Sequence, residues 1–176
     1  MKNFFKGAVL CLAMSVCCVS FTSCSDDNEE EQIQVDKNPL EEVDINYSID
    51  LDDDWYKFFD IEVRYAIGGD EETITITEDW KLEKTISYSE DLKTYICYVT
   101  ARPKAELPAI EEGVTYHLGY KITANVAGIL KDGSIGFDGD GNKSRTLALP
   151  AEGMKKQVTG EHKLLTFSYT YTPEKK

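Results

Sequence analysis

Apolar and polar residues alternate with a period of two along most of the chain after residue 42. Such alternation predicts β-strands that bury one face and leave the other in water. No segment carries a convincing apolar stripe at the helical period. The predicted strands are the runs 43–49, 59–67, 73–77, 82–88, 95–101, 114–126 and 165–171.

Glycine and proline mark the breaks between these runs. Gly68-Gly69-Asp70 predicts a turn, and a bend is expected near Gly119 in the long run 114–126. The segment 101–108 holds two prolines, which remove ladder donors, so we expect a crossover there. The glycine-rich segment 128–149 is predicted to be an irregular hairpin.

Seven or eight strands joined by short turns predict an antiparallel β-sandwich that is immunoglobulin-like in the broad sense. The alternative is an eight-stranded closed barrel of lipocalin type. The proline-containing crossover favours the sandwich, because it suits a connection between two sheets. Residues 42–173 are predicted to form a single domain.

The first residues have the order of a secretory signal peptide. Lys2 and Lys6 precede an apolar run from Gly7 to Val19, and small polar residues then lead to Cys24. A membrane-spanning helix needs about 20 apolar residues, so this run is too short. Residues 1–23 are therefore predicted to be a cleaved signal peptide.

The sequence Phe21-Thr22-Ser23-Cys24 resembles the lipobox of bacterial lipoproteins, with Phe21 where leucine is usual. The resemblance implies that Cys24 is lipidated and holds the protein to a membrane. The acidic stretch Ser25–Glu31 is similar to the surface-export signal of Bacteroidetes-type lipoproteins. That similarity implies display on the outer face of the outer membrane.

Residues 24–41 are acidic and polar, which predicts a flexible tether. The domain that follows resembles the small immunoglobulin-like β-sandwich lipoproteins of unknown function.

The charge balance disfavours a nucleic-acid partner. The chain has 19 basic and 32 acidic residues, a formal net charge of −13, whereas phosphate binding needs cations. Loss of the leader and lipidation of Cys24 would leave Cys97 as the sole thiol. Its neighbours in Tyr95–Val99 predict a small apolar residue in a strand rather than a nucleophile.

One stretch has the alternating oxygen ligands of a calcium loop. Its candidate metal ligands are Asp138, Asp140, Asn142 and Ser144. Hard cations prefer several oxygens around one point. However, Lys143 stands where such a loop needs glycine, and Leu149 stands where it needs a closing glutamate. The pattern favours a hairpin tip over a Ca²⁺ site, and it predicts no other cofactor.

Aromatic residues beside acidic ones form a second candidate site. Trp55 and Tyr56 follow a cluster of four aspartates, at positions 50, 52, 53 and 54, and Trp80 lies in a predicted turn. Exposed rings would stack on sugars, and paired carboxylates would suit glycan hydrolysis. The alternative is that these rings pack and the acids are merely solvated.

The chain has no nucleophile elbow, metal-type histidine pair or phosphate-binding glycine loop, so catalysis is not expected. We expect a non-catalytic binding or accessory module, and the resemblance to surface lipoproteins implies a glycan or surface-protein partner. The second hypothesis is a structural or adhesive envelope subunit that pairs through a strand edge. A small glycan hydrolase is the third.

Overall fold

Residues 38–172 are described by a computed structural model of the chain. The predicted signal peptide, Cys24 and nearly all of the predicted tether lie outside these residues. The described part contains eleven strands: β1 (Leu40–Leu51), β2 (Phe59–Ile67), β3 (Asp70–Ile76), β4 (Trp80–Ser87), β5 (Thr94–Pro103), β6 (Thr115–His117), β7 (Tyr120–Leu130), β8 (Ile135–Asp140), β9 (Lys143–Arg145), β10 (Ala148–Pro150) and β11 (His162–Thr170). It also contains two short helices, α1 (Asp53–Phe58) and α2 (Ala151–Gln157).

The strands form two main antiparallel sheets. In the first sheet the order is β4-β1-β7-β8, and β9 also pairs with β7. In the second sheet the order is β11-β5-β2-β3, while β6 and β10 make a separate two-stranded sheet. The all-β sandwich is therefore confirmed, and the described strands do not close into the alternative barrel.

The core consists of the inward-facing residues of both main sheets. Along β1 the buried residues are separated by polar ones, as the period-two pattern requires. Burying each large aliphatic or aromatic side chain contributes about 1.5–3 kcal/mol. Fully buried members of this core are Val43, Tyr47, Phe58, Ile61, Val63, Tyr95, Cys97, Val99, Leu118 and Met154.

The predicted crossover and bend are both present. After β5 ends at Pro103, the segment 104–114 leads out of the second sheet toward β6 and β7. The long predicted strand 114–126 is divided at Leu118 and Gly119, where a side chain on Gly119 would lie 2.6 Å from a carboxylate oxygen of Asp52. Val114, expected on the buried face of that strand, is 40% exposed.

Two features differ from the sequence prediction. The domain's first strand begins at Leu40, two residues before the predicted boundary at residue 42. The helices α1 and α2 were not predicted, because six and seven residues are too few to display a 3.6-residue period. Helix α1 buries Trp55 and Phe58, and α2 buries Ala151 and Met154.

Candidate functional site

Trp55, the first residue of the predicted aromatic site, lies in the core and not at the surface. It is 3% exposed, and its Nε1–H donates a hydrogen bond to the Gly119 carbonyl at 3.1 Å. Helix α1 turns the indole inward, where its ring centroid lies 4.9 Å from that of Phe59. The prediction of an exposed platform at Trp55 is therefore corrected.

Tyr56 and Trp80 are half-buried and lie near Asp79. The Tyr56 hydroxyl donates to Asp79 Oδ1 at 2.9 Å, and burial followed by that hydrogen bond raises the pKa of Tyr56. The Trp80 ring packs at 5.4 Å from the ring of Tyr65, between the two sheets. The three predicted aromatic residues thus do not form an exposed row.

The aspartates beside these aromatic residues hold the backbone in place. Asp52 Oδ2 accepts a hydrogen bond from Gly119 N–H at 2.5 Å. Asp54 Oδ2 accepts another from His117 N–H at 2.7 Å. Since the two carboxylates tie the start of α1 to the end of β6 and to Gly119, they do not form a free acid–base pair.

The candidate calcium stretch forms two edge strands that both pair with β7, and not the hairpin tip that the sequence favoured. Asp138 and Asp140 belong to β8, Ser144 belongs to β9, and Asn142 lies in the two-residue link between these strands. Asn142 Oδ1 accepts from Ala124 N–H at 3.3 Å, and Asn142 N–H donates to Asp140 Oδ1 at 2.8 Å. Within residues 38–172, no three acidic, histidine or cysteine side chains are arranged to hold a metal ion.

The glycines of that stretch have a packing role. A Cβ on Gly139 would lie 2.7 Å from the ring of Tyr169, and one on Gly141 would collide with Phe167. Both aromatic residues belong to β11, at the edge of the opposite sheet. Asp138 and Asp140 face solvent, whereas Gly139 and Gly141 lie against β11, where a larger side chain would not fit. These two requirements explain the alternation of Asp and Gly that suggested a metal loop.

Cys97 is buried, as predicted, and is 0% exposed. Desolvation by burial raises the pKa of the thiol to about 12. A thiolate nucleophile needs a depressed pKa and access to solvent. The core interpretation of Cys97 is confirmed.

A shallow depression crosses the outward face of the second sheet, and we call it the outer groove. Its volume is about 370 Å³. It lies over β2, β5 and β11, on the side opposite the core. The residues that line it are Glu62, Arg64, Tyr98, Thr100, Arg102, Lys163, Leu165 and Thr166.

Strand pairing places the polar members of the outer groove in two neighbouring rows. In one row, Thr100 of β5 lies between Lys163 of β11 and Glu62 of β2. In the other row, Tyr98 lies between Thr166 and Arg64. Adjacent strands are separated by about 4.8 Å, so each row brings three side chains within reach of one small ligand.

Arg102 and Arg64 fix the geometry of the outer groove. Arg102 donates from Nε to Glu161 at 2.8 Å and from Nη1 to Glu62 at 3.0 Å, and these hydrogen bonds raise the pKa of Arg102. The Arg64 guanidinium carbon lies 4.6 Å from the centre of the Tyr98 ring, and its Nε is 3.4 Å from Glu71. Both arginines keep further N–H donors that these ion pairs do not use.

A second depression, of about 350 Å³, lies at the end of the first sheet near α1. Its charged lining residues are Asp50, Asp52, Lys121 and Arg145. Its acids and bases are balanced, and the Asp52 carboxylate already accepts a hydrogen bond from Gly119 N–H. The outer groove has three basic residues and one acidic residue in its lining, and glutamates pair with its two arginines.

Sequence reasoning singled out none of the outer-groove residues. A usable signal was present, since Glu62 and Arg64 occupy polar positions of one predicted strand and Tyr98, Thr100 and Arg102 occupy those of another. The sequence does not show that β2 pairs with β5 and β5 with β11. Only that pairing brings the two sets together.

The described residues define an all-β sandwich with a polar groove on the outside of one sheet. Comparisons of the chain with protein-family models, curated proteins and solved structures found no significant match. Across residues 38–172, no helix combines the length and the apolar character needed to cross a membrane.

Proposed function

We propose that this protein is a non-catalytic, lipid-anchored binding module that captures a glycan through the outer groove. The observation that carries the proposal is the arrangement of one tyrosine ring, two threonine hydroxyls and an Arg–Glu network around a cavity of about 370 Å³. Small-molecule sites usually occupy about 300–1,000 Å³. The groove therefore suits a short stretch of a saccharide.

The position of the outer groove favours a saccharide over a peptide strand. Peptides commonly add to a sheet through unpaired backbone at an edge. The groove is centred on β5, which is paired on both sides, and extends over β2 and the edge strand β11. A ligand there must be recognised through side chains, and Tyr98, Glu62 and Arg102 supply a ring, an acceptor and donors.

The edge strands give less support to the adhesive-subunit hypothesis. Strand β3 begins with Asp70, Glu71 and Glu72, and β4 carries Lys81 and Lys84. Charged side chains on an edge oppose pairing with another chain. These edges therefore favour a protein that does not polymerise through its sheets.

A glycan hydrolase would need two carboxylates free to act on the same bond. Glu62, which lines the outer groove, and Glu161, which lies beside it, both bond to Arg102. Asp52 and Asp54, at the other site, are acceptors for backbone N–H groups. This arrangement supports binding rather than hydrolysis.

The proposed location rests on the N-terminal sequence. We propose a lipid on Cys24, and an outer-membrane position with the domain facing outward because acidic residues follow that cysteine. A lipid chain contributes about 0.8 kcal/mol per buried methylene, so several chains make release slow. A surface position would give the outer groove access to extracellular glycans.

Two matched threonine variants test whether the outer groove binds glycans. Thr100 and Thr123 are both half-buried threonines, on the outward faces of the second and first sheets respectively. We expect the purified chain to bind members of an oligosaccharide array, and Thr100→Trp to weaken that binding at least about tenfold by filling the groove. Thr123→Trp adds the same bulk to the other sheet and should bind as the parent does.

Several results would contradict glycan binding at the outer groove. Equal loss of binding in both variants, or loss only in Thr123→Trp, would place the site elsewhere. An array without any bound glycan would remove the glycan function. Circular dichroism of each variant checks that the sandwich has folded.

A further inference from the structure

We propose that the captured saccharide carries a carboxylate, and that Lys163 binds that group at the β11 side of the outer groove. This inference rests on the proposed glycan function and adds the chemical class of the ligand. Its basis is the distribution of charge and of unused donors within the groove.

Among the described residues, the outer groove keeps one positive charge that no carboxylate pairs with. Three basic residues, Arg64, Arg102 and Lys163, and one acidic residue, Glu62, line the groove. Glu62, Glu71 and Glu161 bond to the two arginines and neutralise them. The charge of Lys163 is the one that remains in the lining, and a cation without a partner favours an anionic ligand.

The three basic residues differ in whether their charge is already paired. Arg102 is held by two glutamates, and Arg64 is held by Glu71 and the Tyr98 ring. Among the residues that the structure describes, Lys163 forms no salt bridge. Its ammonium group therefore remains available for an incoming anion, whereas the arginines mainly shape the groove.

The two sides of the outer groove carry different groups. Lys163 and Thr166 lie on β11 at one side, and Glu62 lies on β2 at the other, with Thr100 and Tyr98 between them. A sugar ring placed against Tyr98 would have its carboxylate near Lys163 and its hydroxyls near Glu62. Hydroxyls are the groups that can donate to Glu62, so a uronic-acid-type residue matches both sides.

The ammonium group of Lys163 supplies one positive charge, which matches the single negative charge of a carboxylate. A sulfated or phosphorylated saccharide carries the same sign of charge and must be distinguished by experiment. The probes are oligogalacturonide and hyaluronan oligosaccharide, their methyl esters, and a sulfated oligosaccharide of matched length.

Calorimetric titration of the purified chain with these probes tests the inference. We expect binding of at least one carboxylated probe, and about tenfold weaker binding of its methyl ester, because esterification removes the charge but keeps the sugar. The affinity for the carboxylated probe should fall with added salt, while the affinity for the ester should change little.

The variant Lys163→Met tests whether Lys163 binds the carboxylate. This variant should bind the carboxylated probe about tenfold more weakly and bind the ester as the parent chain does. Lys121→Met is the control, because Lys121 is an exposed lysine on the outward face of the first sheet. It should leave both affinities unchanged.

The possible failures are distinguishable from one another. Equal affinity for acid and ester, or binding of neutral array glycans alone, would overturn the carboxylate assignment but leave glycan binding intact. Tighter binding of the sulfated probe than of any carboxylated one would assign the groove to a different anion. Absence of binding to every glycan would overturn the proposed function as well.

Discussion

Tyr47 lies at the centre of the sandwich with a hydroxyl that forms no hydrogen bond within the described residues. The side chain is 0% exposed, and burial raises the pKa of its hydroxyl. Its ring contributes to the core through an edge contact with Phe167. A buried donor without a partner costs free energy, so the ring and the hydroxyl have opposite effects on stability.

Removing that hydroxyl should stabilise the fold. Tyr47→Phe keeps the ring and abolishes the unpaired donor, so we expect the free energy of unfolding to rise by about 1 kcal/mol. Urea denaturation of the parent and the variant measures the difference. Tyr95→Phe is the matched control, because the equally buried Tyr95 donates its hydroxyl to the Leu92 carbonyl at 2.5 Å. That variant should lose about 1 kcal/mol, and a loss of similar size in Tyr47→Phe would contradict the assignment.

At the scale of elements, helix α1 is positioned by hydrogen bonds that cross to a distant part of the chain. Asp52, which precedes α1, both donates its N–H to the Gly119 carbonyl at 3.1 Å and accepts from Gly119 N–H through its carboxylate. Trp55 donates to the same carbonyl from within the helix. Because the helix has only six residues, these contacts, and not its own propensity, must stabilise it.

Loss of the Asp52 carboxylate should therefore destabilise the domain. Asp52→Ala leaves Gly119 N–H without its charged acceptor, and we expect the free energy of unfolding to fall by about 1.5–3 kcal/mol. Asp53→Ala changes an exposed aspartate one position later and should alter stability by no more than about 0.5 kcal/mol. Chemical denaturation measures both free energies of unfolding. Equal effects of the two substitutions would show that the Asp52–Gly119 hydrogen bond does not stabilise the domain.

The elements that the sequence predicted are those with a long two-residue period. Strands β1, β2, β5 and β11 follow directly from alternating residues, because each has one buried and one exposed face. Helices α1 and α2 were missed because such short segments show less than two full turns. The acidic run before Trp55 suggested a solvated turn, whereas Asp52 bonds to the backbone of Gly119 and Asp54 to that of His117 at the end of β6.

The candidate site was less predictable than the fold. Trp55, Tyr56 and Trp80 were chosen for residue type, but the exposure of the first two depends on how α1 packs, and that of Trp80 depends on its contact with Tyr65. The outer groove depends on strand register, which places Lys163 opposite Thr100 although 63 positions separate them. No local pattern specifies such a pairing, since it follows from the topology of the whole sheet.

At the scale of the whole molecule, the two lateral sides of the sandwich differ. On one side, β8 approaches β11 closely, and Phe137 stacks on Tyr169 and Tyr171 with ring centroids 5.5 and 4.4 Å apart. On the other side, the edges β3 and β4 carry charged residues. The broad faces then remain as the surfaces for recognition, and the outer groove lies on one of them.

Residue-resolved NMR would show whether the outward face of the second sheet is the ligand site. The isotopically labelled chain would be titrated with the array oligosaccharide that binds most tightly. We expect chemical-shift changes to cluster at Tyr98, Thr100, Arg102 and Thr166, with Asn46 and Thr123 of the opposite sheet unchanged. Shifts centred on the first sheet or on α1, or no saturable shifts anywhere, would contradict it.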